Sequence, residues 1–156
     1  MPIHRSLKSS RPHTGIRNSV HTQYPPMKEN DIGTLILSTA IEVHRELGPG
    51  LLEHVYTVVM ERELATRGLT VRRQVPVPIV YKDLRFEEAF RADLIVANKV
   101  LIELKSVERI TQAHKKQVNT YLRLSGLKLG YLLNFSEATL KDGITRCVNG
   151  LEEESR

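Results

Sequence analysis

The chain carries one cysteine in 156 residues, no tryptophan, and only 5% aromatic residues. A single thiol, Cys147, excludes an internal disulfide and any zinc site built on cysteines. Its flanks, Thr145, Arg146 and Val148, read as strand, which makes it an inert structural thiol. So few aromatics argue against an extended platform for stacking bases. Long apolar runs are missing too: none approaches the ~18 residues that cross a bilayer, and no apolar segment follows the basic N terminus as a secretory signal requires. These absences point to a reducing, cytoplasmic setting without a membrane partner.

Acidic residues are absent from residues 1–28, which hold Arg5, Lys8, Arg11, Arg17 and Lys28. Removing those five from the 23 basic residues leaves 18, equal to the number of acids, so the whole net charge of +5 sits in this arm. Attraction to phosphates must therefore come from the arm or from local patches, not from a general positive field. The first 26 residues are rich in Ser, His, Pro and Arg, lack apolar periodicity, and cannot bury enough surface to order themselves. A disordered basic arm, an organellar transit peptide and translated sequence upstream of a start at Met27 all fit. The chain is thus divided into an arm (1–28), one domain (29–150) and a tail (151–156).

Within the domain, the pattern gives the order α-α-β-β-β-α-β-β, an α/β (α+β-like) chain with a mixed sheet. Ile32, Leu35, Ile36, Thr39/Ala40, Val43 and Leu47 recur at helical spacing after an N-cap at Asn30 or Asp31, and Gly48-Pro49-Gly50 ends that helix. A second helix runs from about Leu51 to Arg67, with Leu52, Val55, Tyr56, Val59, Met60 and Leu64 inward. Residues 69–81 switch to period two, with Leu69, Val71, Val75, Val77, Ile79 and Tyr81 on one face. Pro76 and Pro78 assign that strand to a sheet edge. Strands follow over 86–96 and 100–106, then a helix from Thr111 to Gly126, a buried strand over 127–133, a turn at Lys141-Asp142-Gly143 and a last strand over 144–148.

The third strand carries the chemistry. In Val100-Leu101-Ile102-Glu103-Leu104-Lys105-Ser106, Glu103 and Lys105 share one face among apolar neighbours, where charges are costly to desolvate. Asp93 is likewise a carboxylate inside an apolar strand. If Val96 opposes Val100, Asp93 falls opposite Glu103 on the same face, with Ala97-Asn98-Lys99 as the connection. Asn98 or Lys99 must then be left-handed, and Arg91 would face Lys105. Two carboxylates so placed repel unless a cation lies between them, and hard oxygen ligands select Mg²⁺ or Mn²⁺.

Asp93 followed by Glu103-Leu104-Lys105 resembles the signature of the PD-(D/E)XK nuclease superfamily. Gly50-Leu51-Leu52-Glu53-His54-Val55-Tyr56 resembles the motif of the GxxExxY proteins within it, supported by Ala40-Ile41-Glu42-Val43-His44, Leu47-Gly48-Pro49-Gly50 and Gly130-Tyr131-Leu132-Leu133-Asn134-Phe135. Gln117 and Tyr121, one helical turn apart, resemble the Q-x-x-x-Y motif of RecB-like nucleases. Together these cover about residues 30–150. The resemblance implies a restriction-endonuclease-like core and Mg²⁺- (or Mn²⁺-) dependent hydrolysis of DNA or RNA. Asp93, Glu103, the Leu104 carbonyl and Glu53 would hold the metal, Lys105 would activate water or neutralise charge, and Gln117 would orient the lysine and phosphate, with Tyr56 and Tyr121 supporting. His44, lacking a second ligand at metal spacing, reads as structural; the role of His114 is open, and Lys115 and Lys116 beside it could meet a phosphate backbone. A fold does not fix a function, so a catalytically silent nucleic-acid-binding or homodimeric module is the alternative. Because residues 1–26 lack periodicity, their deletion is expected to leave the melting temperature nearly unchanged. A drop of more than a few degrees in a thermal melt would show that the arm packs on the domain.

Overall fold

A computed structural model describes residues 26–153, so all but the last three residues of the expected basic arm, and residues 154–156 of the expected tail, lie outside the described residues. The elements come in the expected order: α1 (Glu29–Leu47), α2 (Glu53–Thr66), β1 (Val71–Tyr81), β2 (Leu84–Val96), β3 (Val100–Lys105), α3 (Gln112–Ser125), β4 (Leu129–Asn134), a 3-10 turn (Leu140–Gly143) and β5 (Ile144–Val148). The five strands form one mixed sheet in sequential order, and the single parallel pair, β3 with β4, is the one joined through a helix, α3. The architecture is the expected α/β one, a mixed sheet with helices packed on both faces.

Alternation along β3 and β4 divides the core into two layers. Val100, Ile102 and Leu104 of β3 join Leu129, Tyr131 and Leu133 of β4 under α1 and α2. Leu101 and Leu132, on the other parity, pack under α3 with Val118, Tyr121, Leu122 and Cys147. Burial of each such Leu or Ile is worth ~1.5–3 kcal/mol, so the sheet is stapled from both sides. Burial also pushes the Cys147 thiol upward, in keeping with an inert role.

Helix boundaries differ modestly from expectation. The first helix starts at Glu29 rather than after Asn30 or Asp31, with the Lys28 N–H donating to Asp31 Oδ2 at 3.3 Å. Helix α2 starts at Glu53, which leaves Leu52 outside it and 78% exposed, and Val55 is exposed as well; the inward stripe is Tyr56, Met60 and Leu64. The third helix has its expected ends, Thr111 accepting from the His114 N–H and Gly126 left-handed.

The edge position of β1 is as expected from its prolines, but its residues do not share one face. Val71 packs on the α1/α2 layer, whereas Val75 and Val77, of the same parity, pack under α3. The strand switches faces at Gln74, whose φ of 53° is left-handed. The partner strand follows: Arg73↔Leu94 and Val75↔Ala92 are paired, while Gln74 and Asp93 between them are not.

The β2–β3 ladder has the expected register, with Leu94↔Ile102, Ile95↔Leu101 and Val96↔Val100. In the connecting turn Asn98 is left-handed, and so is Ala97 instead of Lys99. Ala97 is held there because its N–H donates to Thr70 O at 2.7 Å, while the Lys99 N–H closes the turn on Val96 O at 3.0 Å. At the other end of the sheet, the buried Asn134 fastens the segment after β3. Its Oδ1 accepts from the Val107 and Ser136 N–H groups (3.1 and 3.3 Å) and its Nδ2 donates to Val107 O (2.8 Å). Asn134→Ala strands both polar groups of Val107, so a loss of about 2–4 kcal/mol is expected in urea denaturation. A change under about 1 kcal/mol would mean that water replaces the amide.

Candidate metal centre

The centre is assembled where the β2–β3 ladder stops. Beyond Leu94↔Ile102 the backbones separate, and Asp93 Oδ2 accepts the Leu104 N–H at 2.9 Å, taking the place of a strand carbonyl. The expected contact of Arg91 with Lys105 is therefore not made. Arg91 turns outward instead and forms a fork on Glu88, with both N···O distances 2.6 Å. The Lys105 carbonyl points the other way, toward β4, accepting from the Phe135 N–H at 2.8 Å. Since polar groups alternate sides along a strand, the Leu104 carbonyl leaves on the same side as its N–H, toward Asp93.

Glu103 is the most constrained group. It is 6% exposed; Oε1 lies 3.4 Å from Lys105 Nζ, and Oε2 is buried with no hydrogen-bond partner among the described residues. Burial first, and the Asp93 charge second, push its carboxyl up to about 7, with Lys105 pulling the other way. Asp93 is also raised by burial, against the Leu104 N–H bond and Lys105.

Glu53 arrives from the opposite layer of the fold. Its helix begins just beyond the end of β3, and Ser106 ties the two together, Oγ donating to Leu51 O at 2.8 Å. Burial raises the Glu53 pKa, against Lys105, and Asp93 raises it further, while the Ser106 backbone N–H and His114 lower it. Tyr56, fully buried and stacked on Phe135 at 4.4 Å, sets the entry to this helix. Its hydroxyl donates to Gly48 O (2.6 Å) and accepts from the Leu51 N–H (3.2 Å). Gly50 between them has φ 99°, open in practice to glycine alone. The Gly50–Tyr56 motif is thus a device for aiming Glu53.

On α3, Tyr121 lies against Phe90 with rings parallel and 3.5 Å apart. Burial, then the charges of Glu103 and Asp93, raise its hydroxyl pKa, so it faces the carboxylates. Gln117 donates to the Tyr121 hydroxyl, and among the described residues its bond is to Tyr121, not to Lys105. Both residues line a groove of about 590 Å³ with Phe90, Ile79 and Lys116. His114 accepts from the Thr111 N–H through Nδ1 (3.1 Å) and is close enough to Glu53 to influence it. His44 is elsewhere, buried, with Nε2 2.9 Å from Glu137 O and the ring tilted on Phe135, a structural role.

Glu53, Asp93, Glu103 and Lys105 are therefore brought together, with Tyr121 beside them and Gln117 linked through it. Sequence reasoning missed Gln74, whose Nε2 donates to Asp93 Oδ1 at 3.4 Å; the register of β1 on β2 shifts between Val77 and Ile79, so counting from the hairpin turn does not bring Gln74 to Asp93. Among the described residues no three His, Cys, Asp or Glu side chains form a ready cage for an ion. The oxygens whose chemistry would suit a hard divalent cation are those of the Asp93 and Glu103 carboxylates and the Leu104 carbonyl, with water and Glu53 as further candidates. The unsatisfied Glu103 oxygen is the observation that favours such an occupant.

A sequence model described as the PD-(D/E)XK nuclease superfamily matches residues 30–147, which include all of these groups. No curated protein and no solved structure matches the chain significantly. No helix among the described residues is long and apolar enough to cross a membrane.

Because the folded Glu103 carboxyl holds its proton to about 7 instead of the ordinary 4.5, the metal-free fold gains stability from it at low pH. That gain is complete below pH 4.5 and is lost as pH rises through 7, a difference on the order of 3 kcal/mol. Glu103→Gln is expected to flatten this slope and to be more stable than wild type at pH 8, in urea melts with chelator. A Gln variant that keeps the wild-type slope would assign the slope to other groups.

Proposed function

The chain belongs to the PD-(D/E)XK nuclease superfamily, and from that premise we propose that it is a Mg²⁺- or Mn²⁺-dependent nuclease hydrolysing phosphodiester bonds in DNA or RNA. The observation that carries the reading is electrostatic. Three carboxylates, Glu53, Asp93 and Glu103, face one lysine, and all three are pushed up by burial, while a buried Glu103 oxygen has no partner among the described residues. Such a surplus of half-desolvated negative charge is unfavourable until a cation enters.

Asp93, Glu103 and the Leu104 carbonyl would hold the cation, which would supply Lewis acidity toward the phosphate. Lys105 places its ammonium beside the same point and neutralises charge that builds on the phosphate in the transition state. Glu53, anchored by Ser106, orients the attacking water. Gln117 and Tyr121 form the α3 wall of the site, where the glutamine amide can meet the phosphate. The Gly50–Tyr56 motif supports placing the chain with the GxxExxY proteins, and Gln117 with Tyr121 supports the RecB-like subgroup.

The test is a cleavage screen of the purified full chain over single- and double-stranded DNA and RNA, with Mg²⁺, Mn²⁺ or chelator. Cleavage is expected with the cations and not with chelator. Asp93→Asn, which keeps an acceptor for the Leu104 N–H, and Lys105→Ala are each expected to lose on the order of 10²-fold or more. Mn²⁺ should raise the melting temperature of wild type and not of Asp93→Asn. No cleavage and no thermal response in wild type would discard the nuclease and leave a silent nucleic-acid-binding or homodimeric module on this fold.

A further inference from the structure

Four non-glycine residues among those described have positive φ: Lys82, Ala97 and Asn98 in hairpin turns, and Gln74 in the middle of a strand. A left-handed residue in a turn reverses the chain. Gln74 reverses nothing, because β1 and β2 keep one register on both sides of it, Arg73↔Leu94 and Val75↔Ala92. Glutamine also lacks the short side chain that makes asparagine tolerant there. A disfavoured conformation at such a point persists only where the surroundings hold it.

The surroundings do hold it. The Gln74 carbonyl accepts from Arg91 Nη1 at 3.4 Å, and Arg91 is itself fixed by its fork on Glu88. The Gln74 side chain donates through Nε2 to Asp93 Oδ1 at 3.4 Å, while the other Asp93 oxygen is committed to the Leu104 N–H at 2.9 Å. Asp93 is therefore gripped by one donor from each neighbouring strand, and its strand pairs with neither at that residue. The bond to Gln74 is long, as contacts at a site often are before the ligand that tightens them is bound.

We infer that Gln74 is a positioning residue for Asp93: its left-handed backbone and its amide together hold the carboxylate in the orientation that a divalent cation requires. The inference rests on the metal-centre reading above. Partners of this kind typically alter metal affinity 10- to 100-fold. A purely structural reading gives the same left-handed turn a different purpose, moving β1 from the α1/α2 layer to the α3 layer, with the amide incidental.

Two variants separate the readings. Gln74→Met keeps the stem and the backbone cost but removes the donor; Gln74→Gly removes the donor and relaxes the backbone. The measurements are Mn²⁺ affinity by titration calorimetry on the full chain, and stability in urea. With a positioning role, both variants bind Mn²⁺ about tenfold more weakly, the Gly variant is at least as stable as wild type, and Gln74→Asn restores part of the affinity. Wild-type affinity in both Met and Gly variants would overturn the role while leaving the metal centre standing. Affinity that falls only in proportion to lost stability would also overturn it. A wild type that binds no Mn²⁺ would remove the metal centre and this role together.

Discussion

The bond from the Leu104 N–H to Asp93 Oδ2 determines the shape of everything around it. An antiparallel ladder running on past Leu94↔Ile102 would have closed the space between β2 and β3 with backbone hydrogen bonds. With a side-chain carboxylate in place of a carbonyl, the strand N–H remains satisfied while the backbones part. The opening exposes the Leu104 carbonyl on the side of Asp93, next to Glu103, whose face is already set by strand alternation. It also releases Arg91 to the surface and lets β1 and β2 cross from one core layer to the other. One substitution of acceptor thus lets the strand end without an unsatisfied N–H and sets Asp93 beside the end of β3.

The same opening explains why the site is costly in the absence of a ligand. Glu103 is nearly as buried as Ile102 and Leu104 on either side of it, and among the described residues its ion pair with Lys105 satisfies one oxygen only. The compensation lies in the rest of the fold, where apolar layers cover both faces of the sheet and Asn134 and Tyr56 satisfy the backbone groups that border the site. A rigid surround keeps like charges together that would separate in a looser protein. For the proposed cation the repulsion would already be present before it arrives, so binding would relieve it instead of having to gather the ligands.

Much of this was legible in the sequence because it depends on parity. Strand alternation places Glu103 and Lys105 on one face, and the connection of Ala97 to Lys99 sets the register that holds as far as Leu94↔Ile102; the expected pairing of Asp93 with Glu103 is not made, because the ladder stops there and Asp93 bonds the Leu104 N–H instead. The order of elements and the ends of α3 follow from apolar spacing and from Thr111 and Gly126. What was not legible depends on departures from parity. The face switch at Gln74 leaves the hydrophobic pattern of β1 looking continuous, since Val71, Val75 and Val77 keep period two while the backbone turns over. The separation of Arg91 from Lys105 follows from the same event. The left-handed Ala97 depends on a contact with Thr70, distant along the chain, and no local preference announces it. Leu52 is exposed because the helix starts later than its apolar run, and Val55, inside the helix, falls off the stripe formed by Tyr56, Met60 and Leu64.

The spacing from Gly50 to Tyr56 shows how a local motif can serve a distant centre. Glu53 stands in the first turn of α2, on the layer of the sheet opposite to the faces of Asp93 and Glu103, and has to come round the end of β3 to reach them. A helix entering at a variable angle would spread its carboxylate over several ångströms. Tyr56, one turn further along, removes that freedom by holding Gly48 O and the Leu51 N–H with one hydroxyl, while its ring is clamped on Phe135 just beyond β4. Phe135 in turn is bonded through its N–H to Lys105 O. The aim of Glu53 and the position of Lys105 are therefore referred to the same short segment after β4. Glycine is needed at 50 for its backbone, glutamate at 53 for its charge and tyrosine at 56 for both its ring and its hydroxyl, and none of the three requirements can be met by moving the residue one place along the helix.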